Sequence, residues 1–318
     1  MQHSAQSATT PSSASPLLVV GSVAYDDVET EFGARKDLLG GSATYFSVAA
    51  SLFTQARLVG VVGNDFRDRQ IFADHGIDTR GLVTDASGDT FRWGGRYHAD
   101  MNSRTTLYTH LNVFERFRPD IPEGWETSPF LFLGNIDPEL QLDVLSKVRP
   151  PRFVTMDTMN FWISGGKRAA VLSALARVQG VLVNDEEGAL LTGARTALGM
   201  GRGIQKLGPN TVVLKRGEHG ALLFHGPDIF YVPAYPLETV IDPTGAGDTF
   251  AGGFMGYLAR TGDLSLDNLR RAMLAGSILA SFCVEGFGLD AVRTVHLDAV
   301  RRRYTDFESL TRCPSRLL

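Results

Sequence analysis

Cysteine is nearly absent: the 318-residue sequence holds two, Cys283 and Cys313. Two cannot build the framework of bridges that staples small secreted scaffolds, so a reduced, cytoplasmic setting is the simple reading. Long apolar runs are also missing, and no stretch reaches the ~18 residues that a membrane helix needs. Neither sign of charge dominates. Lys and Arg number 31 and Asp and Glu 35, a formal net charge of −4. That balance exerts no general pull on nucleic acid or an anionic membrane, and neither is expected as a partner. The 7 histidines form no close pair at metal-ligand spacing. Gly165-Gly166-Lys167-Arg168 lacks the Ser/Thr and the spacing of a P-loop, and Gly199, Gly201 and Gly203 make G-x-G-x-G, which is not the dinucleotide fingerprint.

What is present reads as globular. Apolar residues make up 43% and charged residues 21%, which argues against disorder, and 34 glycines without a G-X-Y period exclude collagen. A chain of this length buries roughly 75% of its unfolded surface and needs no staples. Met1 to Pro16 is rich in Ser, Thr, Ala and Gln without the basic start and apolar run of a secretion signal, and reads as a flexible tail. Leu17 to Val20 is a short apolar run closed by Gly21, suited to a strand buried on both faces. A glycine turn, Gly40-Gly41-Ser42, then opens an apolar helix over Ala43 to Phe53. A strand is expected over Ala56 to Val62 and a helix over Asn64 to His75. From Gly88 to Glu115 aromatic and β-branched residues alternate with polar ones, which suggests antiparallel strands. Short apolar runs then recur at 130–133, 153–156, 181–183 and 211–214, separated by amphipathic stretches such as Lys167 to Val178. This alternation predicts one α/β domain over 17–318, a mostly parallel sheet with helices on both faces. Residues near 24–38 and 88–115 form a small β insertion in it.

Chemistry concentrates in Asp242-Pro243-Thr244-Gly245-Ala246-Gly247-Asp248-Thr249-Phe250, followed directly by an apolar helical stretch. Glycines just ahead of a helix let backbone N–H groups face a ligand. The helix N-terminus carries about +0.5 charge, so an anion is favoured there. Asp248 in the first turn opposes phosphate affinity alone but suits a base that takes a proton from an attacking hydroxyl. The plainer alternative is a glycine turn with an N-terminal helix charge.

This nine-residue run resembles the C-terminal motif of the PfkB, ribokinase-like carbohydrate kinases. The resemblance extends from about Leu18 to Val292 through ordered segments. Gly21 to Asp26 looks like the first strand with its substrate-binding aspartate, and Leu39-Gly40-Gly41-Ser42-Ala43-Thr44 like the N-terminal glycine pair. Gly60-Val61-Val62-Gly63-Asn64-Asp65 and Gly76-Ile77-Asp78 match a further segment. Asn184-Asp185-Glu186-Glu187 matches the Asn-x-x-Glu motif, and Lys215-Arg216-Gly217-Glu218-His219-Gly220 the nucleotide-contacting turn. The resemblance implies a ribokinase-like fold whose insertion is a lid, and an ATP-dependent kinase acting on a hydroxyl of a sugar or nucleoside. Asp248 would be the base, and Gly245, Ala246 and Gly247 would complete the anion hole. Asp26, Gly40, Gly41 and Asn64 would bind the acceptor, with Trp93, Tyr97 and Arg104 as lid contacts. Asn184, Lys215, Gly217 and Gly220 would join Gly245 and Gly247 around ATP. Asn184 and Glu187 would hold Mg²⁺ through water, whereas in isolation they read as a helix capping box. Asp242 and Thr244 match positions that bind a monovalent cation, K⁺, in many members.

Two positions depart from the ribokinase pattern. Tyr45 stands where those members place Asn, and Ser42 where they place Lys, which weighs against ribose as the acceptor. Val240 to Thr244 and Ala280 to Gly286 are similar to the nucleoside kinases of the family, and the aromatics at 91, 93 and 97 could stack on a base. Sheet packing or a homodimer face through the lid would also account for those aromatics. A kinase-like sensor that has lost catalysis is the alternative of another class, marked by loss of Asp248 or its glycines. Cys283 reads as a core filler and Arg301 to Arg303 as a solvated helix face.

Overall fold

A computed structural model describes residues 14–312, so the expected tail before Ala14 and Cys313 lie outside the described residues. The apolar runs become the strands of a nine-stranded sheet. In chain order these are β1 (Leu17–Val20), β4 (Ala56–Val62), β5 (Asp78–Thr84), β8 (Phe130–Leu133), β9 (Phe153–Met156), β10 (Gly180–Asn184), β11 (Thr211–Lys215), β12 (Ala221–His225) and β13 (Asp228–Val232). Their spatial order is β13-β12-β11-β10-β9-β8-β1-β4-β5. All neighbours from β11 to β5 run parallel, and β12 and β13 close one edge as an antiparallel hairpin.

Alternation along β1 divides the interior. Leu17 and Val19 face α1 (Ser42–Ser51), α8 (Ala246–Thr261), α9 (Leu266–Cys283) and α10 (Leu297–Thr311). Leu18 and Val20 face the other layer, α3 (Pro138–Lys147), α5 (Arg168–Leu175), α6 (Asp185–Thr192) and α7 (Ala197–Gln205). Period-two side chains under two helical layers make each short strand apolar throughout. Helices α1 and α8 cross so closely that a Cβ on Gly252 would strike the Phe46 carbonyl.

The insertion is a separate four-stranded sheet in the order β3-β2-β6-β7, built from β2 (Ala24–Thr30), β3 (Gly33–Gly40), β6 (Phe91–Tyr97) and β7 (Arg104–His110). Its pairing is mixed rather than wholly antiparallel, because β2 and β6 meet in parallel across the long excursion through β4 and β5. The helix expected over Asn64 to His75 shrinks to α2 (Arg69–Asp74). Asn64 to Asp68 stays irregular since Asp65, Arg67 and Asp68 are drawn into bonds with Thr90 and Tyr25. α4 (Asn160–Ser164) completes the helices. Cys283 is buried, as read. Arg301 and Arg302 are exposed, but Arg303 tucks in: it pairs with Glu285 at 3.0 Å and covers the Phe282 ring at 3.6 Å.

Candidate active site

The parallel strands bring their carboxyl ends to one edge of the large sheet, and the order in which the chain adds strands switches sides between β1 and β8. Open α/β sheets place ligands in such a crevice. Gly21 follows β1 and Gly134 follows β8, and the Ser42 hydroxyl fills the gap between them. Ser42 and Ser22 exchange backbone-to-hydroxyl bonds of 3.0 and 3.2 Å, which seats the start of α1 there. Gly41 caps α1 at φ +92°, where a side chain would also strike the Ser22 carbonyl.

Asp26 leaves β2 beside this turn. Its carboxylate lies where a Cβ on Gly40 would be, and it accepts from the Gly41 N–H. The group is 5% exposed. Burial, then the charges of Asp242 and Asp248, push it up to about 8. Tyr45 is buried in α1 with its ring against Gly245, and its hydroxyl has no hydrogen-bond partner among the described residues.

Gly245 begins α8 at φ +75°, with Ala246, Gly247 and Asp248 as the first three helical residues. The Ala246 N–H donates to the Pro243 carbonyl at 3.2 Å, while those of Gly247 and Asp248, in the first turn, have no acceptor within the helix. Asp242 fixes the turn: its two carboxylate oxygens accept from the N–H of Thr244 at 2.8 Å and of Gly288 at 2.9 Å. Asp248 lies deep but stays partly open to solvent. Loss of hydration and the nearby Asp157 carboxylate push it up to about 7, against the pull of Lys215 and Arg104.

The other side of the crevice is assembled from the next strand ends. Asp157 follows β9, Asn184 ends β10 and Lys215 ends β11. Lys215 Nζ pairs with Asp157 at 3.2 Å, and a Cβ on Gly247 would stand 3.1 Å from that ammonium. Burial pulls the Lys215 ammonium down, but Asp157, Glu187 and Asp248 more than reverse it. Asn184 and Glu187 form the capping box of α6, each side chain accepting from the other's N–H at 2.8 Å. Burial and Asp157 raise the Glu187 carboxyl. Among the described residues no three His, Cys, Asp or Glu side chains converge closely enough to hold a metal directly. Gly217 and Gly220, at φ +53° and +73°, shape the turn after β11.

Not every expected residue joins this group. Asn64 is exposed, and its bonds run to the Ala86 and Gly88 carbonyls. Trp93 and Tyr97 pack with Val28, Phe287 and Ile241, so much of their surface is committed to seating the small sheet. The Tyr97 hydroxyl accepts from Thr244 at 3.2 Å, and Arg104 lies opposite Tyr97 in the β6–β7 ladder. Asp157 went unnoticed in the sequence. Its signal was register: it follows an apolar strand at the same edge as Asn184 and Lys215.

Residues 150–293 match the model of the pfkB family carbohydrate kinases. A cytidine kinase of Thermococcus kodakarensis is 29% identical over 249 residues, 77% of this chain and 88% of that protein. A nucleoside kinase of Methanocaldococcus jannaschii superposes with a TM-score of 0.73 at 19% identity, over 93% of this chain and 100% of that one. The aminoimidazole riboside kinase of Salmonella enterica, solved with aminoimidazole riboside and an ATP analogue, superposes with a TM-score of 0.67 at 22% identity, over 91% and 99%. The match over 150–293 and the shared fold make the chain similar, in sequence and in architecture, to the PfkB, ribokinase-like kinases.

Proposed function

We propose that this protein transfers the γ-phosphoryl group of ATP to a hydroxyl of a nucleoside or related riboside. The kinase reading is carried by one arrangement: Asp248 in the first turn of α8, with the Lys215 ammonium against Gly247 on one side and Asp26 on the other. The residues fit a nucleoside triphosphate. Gly247 leaves open the space beside Lys215 that a Cβ would fill, and the sixteen-residue α8 presents its N-terminus there. Gly217 and Gly220 line the nucleotide side with Asn184. Glu187 and Asn184 suit a magnesium ion reached through water, since their capping bonds leave one Glu187 oxygen free and hard oxygen donors suit that ion. Magnesium bound with ATP supplies charge neutralisation on the phosphates. Asp242 and Thr244 are retained as the K⁺ position, although both Asp242 oxygens already serve the turn, and no step depends on it.

In the reaction, Asp26 and the Gly41 N–H hold the acceptor, with Gly40 keeping the approach clear. Asp248 takes the proton of the attacking hydroxyl as its oxygen bonds to the γ-phosphorus and the bond to the bridging oxygen breaks. The electron pair of that bond leaves with ADP. Charge on the phosphoryl oxygens meets the N–H groups of Gly245, Ala246 and Gly247 and the Lys215 ammonium. The small sheet, with Trp93 and Tyr97, covers the acceptor and excludes water. Aromatic faces there, and Tyr45 and Ser42 in the acceptor crevice, favour a nucleoside over free ribose. The relatives that act on nucleosides and ribosides support the same choice.

ADP release from ATP, measured against cytidine, adenosine, ribose and fructose at equal concentration, tests the reading. Turnover of a nucleoside at least equal to that of ribose is expected. Asp248→Asn should retain ATP binding and lose on the order of 10²–10⁴ in kcat. Because Asp248 acts ionised, wild-type kcat/KM should fall as pH drops below about 7. Undiminished turnover by Asp248→Asn would remove the base.

A further inference from the structure

We propose that His75 is a positioning residue: when its ring carries a second proton, it clasps the acceptor side of the site from behind. The proposal rests on the reading of Asp26 as the residue that holds the acceptor. His75 caps the C-terminus of α2. Its Nδ1 lies 2.8 Å from the Ile71 carbonyl oxygen, and its Nε2 lies 3.0 Å from the Arg293 carbonyl oxygen. Both partners are carbonyls and can only accept. A neutral imidazole has one N–H, so it satisfies one carbonyl and turns a lone pair on the other. The imidazolium donates to both, and a cation also suits the last carbonyls of a helix. The charged ring therefore ties α2 to the segment before α10, and the neutral ring releases one of the two.

α2 is the looser of the two partners. Of its residues only Phe72 is buried. On the other side Val292 and Val295 bracket Arg293 and are packed into the core. Opening the clasp thus frees α2, and not the segment that carries Gly288 and its bond to Asp242. The far end of α2 reaches the acceptor site. Asp68, its N-cap, accepts from the Tyr25 hydroxyl at 2.7 Å, and Tyr25 precedes Asp26 in β2. The ring is also open to protons from solvent. It lines a cavity of about 510 Å³ together with Asp74, Arg293 and His296, to which the end of α1 adds the uncharged Ser51 and Leu52. Asp74 accepts from Gln70 and Arg293 pairs with Asp290, so each of these charges has its own partner.

The test compares wild type with His75→Gln, which keeps a donor but cannot gain a charge, across the range of about pH 5 to 8 where histidines change charge. Long-range ¹H–¹⁵N spectra should show both His75 ring nitrogens protonated at the acid end and one at the alkaline end. Amide protection factors in α2 should fall over that range in wild type and stay constant in the variant. Asp26 and Asp248 titrate in both proteins, so the ratio of nucleoside KM, variant over wild type, isolates His75. At the acid end that ratio should be about 3–10, up to the ~10-fold that one hydrogen bond to a charged group is worth. It should approach one at the alkaline end, with kcat equal within about two-fold throughout. One protonated ring nitrogen at both ends, protection that does not change, or a KM ratio independent of pH would overturn the clasp. If His75→Gln does not fold, the wild-type spectra and protection factors decide. A wild type that phosphorylates no sugar or nucleoside would instead overturn the kinase reading, and the same two measurements still judge His75 by itself.

Discussion

The two sheets are held together by different forces. In the nine-stranded sheet β1 and β8 are buried at every residue, and Phe46 of α1 stacks on Phe132 with ring centroids 4.1 Å apart. In the four-stranded sheet β7 is exposed at six of its seven positions, with Leu107 at 44%. Its apolar contribution is a small cluster around Val28, Tyr97 and Phe287. Charge does much of the rest: Arg92 bridges Asp37 and Asp65, and Arg96 pairs with Glu29 at 2.6 Å. The large sheet fixes strand ends and helix starts to a fraction of an ångström because close-packed side chains resist displacement. The small one carries few buried contacts and many solvated bonds, the properties of a segment that opens at low cost. In the proposed reaction the anion hole and base sit on the first, and the cover over the acceptor on the second.

The sharpest way to break that division is inside the rigid half. Gly245→Val places a β-branched residue at φ +75° with its Cβ in the Tyr45 ring, itself 1% exposed. Strain at such a position costs about 1–3 kcal/mol, before the repacking of Tyr45. A fall in kcat of at least ~10² is expected, together with a Tm several degrees lower. A variant that raises only KM, with unchanged Tm, would mean that the turn is not held by the core.

Asp26→Asn sharpens the comparison from the acceptor side. The folded carboxyl titrates at about 8 against 3.8 for the ordinary group. Between those values the folded protein binds more protons than the unfolded chain, so stability falls as pH rises from about 4 to about 8 and then levels off. Each unit of separation corresponds to about 1.36 kcal/mol, and a loss on the order of a few kcal/mol is expected after relaxation around the site. The asparagine variant lacks this term. Its Tm should exceed that of wild type at pH 8, match it near pH 4, and come with loss of acceptor binding. Parallel Tm curves for the two proteins across that range would show that Asp26 is hydrated rather than buried.

The rigid half was also the legible half. Leu17–Val20 and Phe130–Leu133 read as buried strands because both faces are covered, so apolarity is continuous. Gly245 and Asp248 were legible because a positive-φ cap and a first-turn carboxylate leave a local signature. The small sheet was legible in composition but not in pairing. Ala24 to Gly40 reads as loosely alternating, and nothing in it announces that β2 pairs with Phe91–Tyr97 in parallel. Asn64 to Asp68 has helix-compatible residues whose side chains are claimed by Thr90 and Tyr25, partners distant in sequence. Asp157 was missed for the same reason, since its partner Lys215 is 58 residues away.

The smallest effect expected lies in the charged half. Arg92 bonds Asp37 and Asp65 and lies 5.2 Å over the Tyr25 ring, and Tyr25 adjoins Asp26. The side chains of Arg92, Asp37 and Asp65 are 29%, 44% and 23% exposed. Ion pairs this solvated contribute about 0–1 kcal/mol, so Arg92→Gln should move Tm by no more than a degree or two. The small sheet itself should feel the change more than the global fold does. Amide exchange in β2, β3 and β6 should quicken, and the acceptor KM should rise several-fold at nearly constant kcat, since Asp248 and its glycines are untouched. At 1 M salt the screening length is about 3 Å, and the wild type should approach the variant in both measurements. A Tm fall above about 5 °C would mean that the small sheet is welded to the core by these charges, and the distinction between the two halves would then fail.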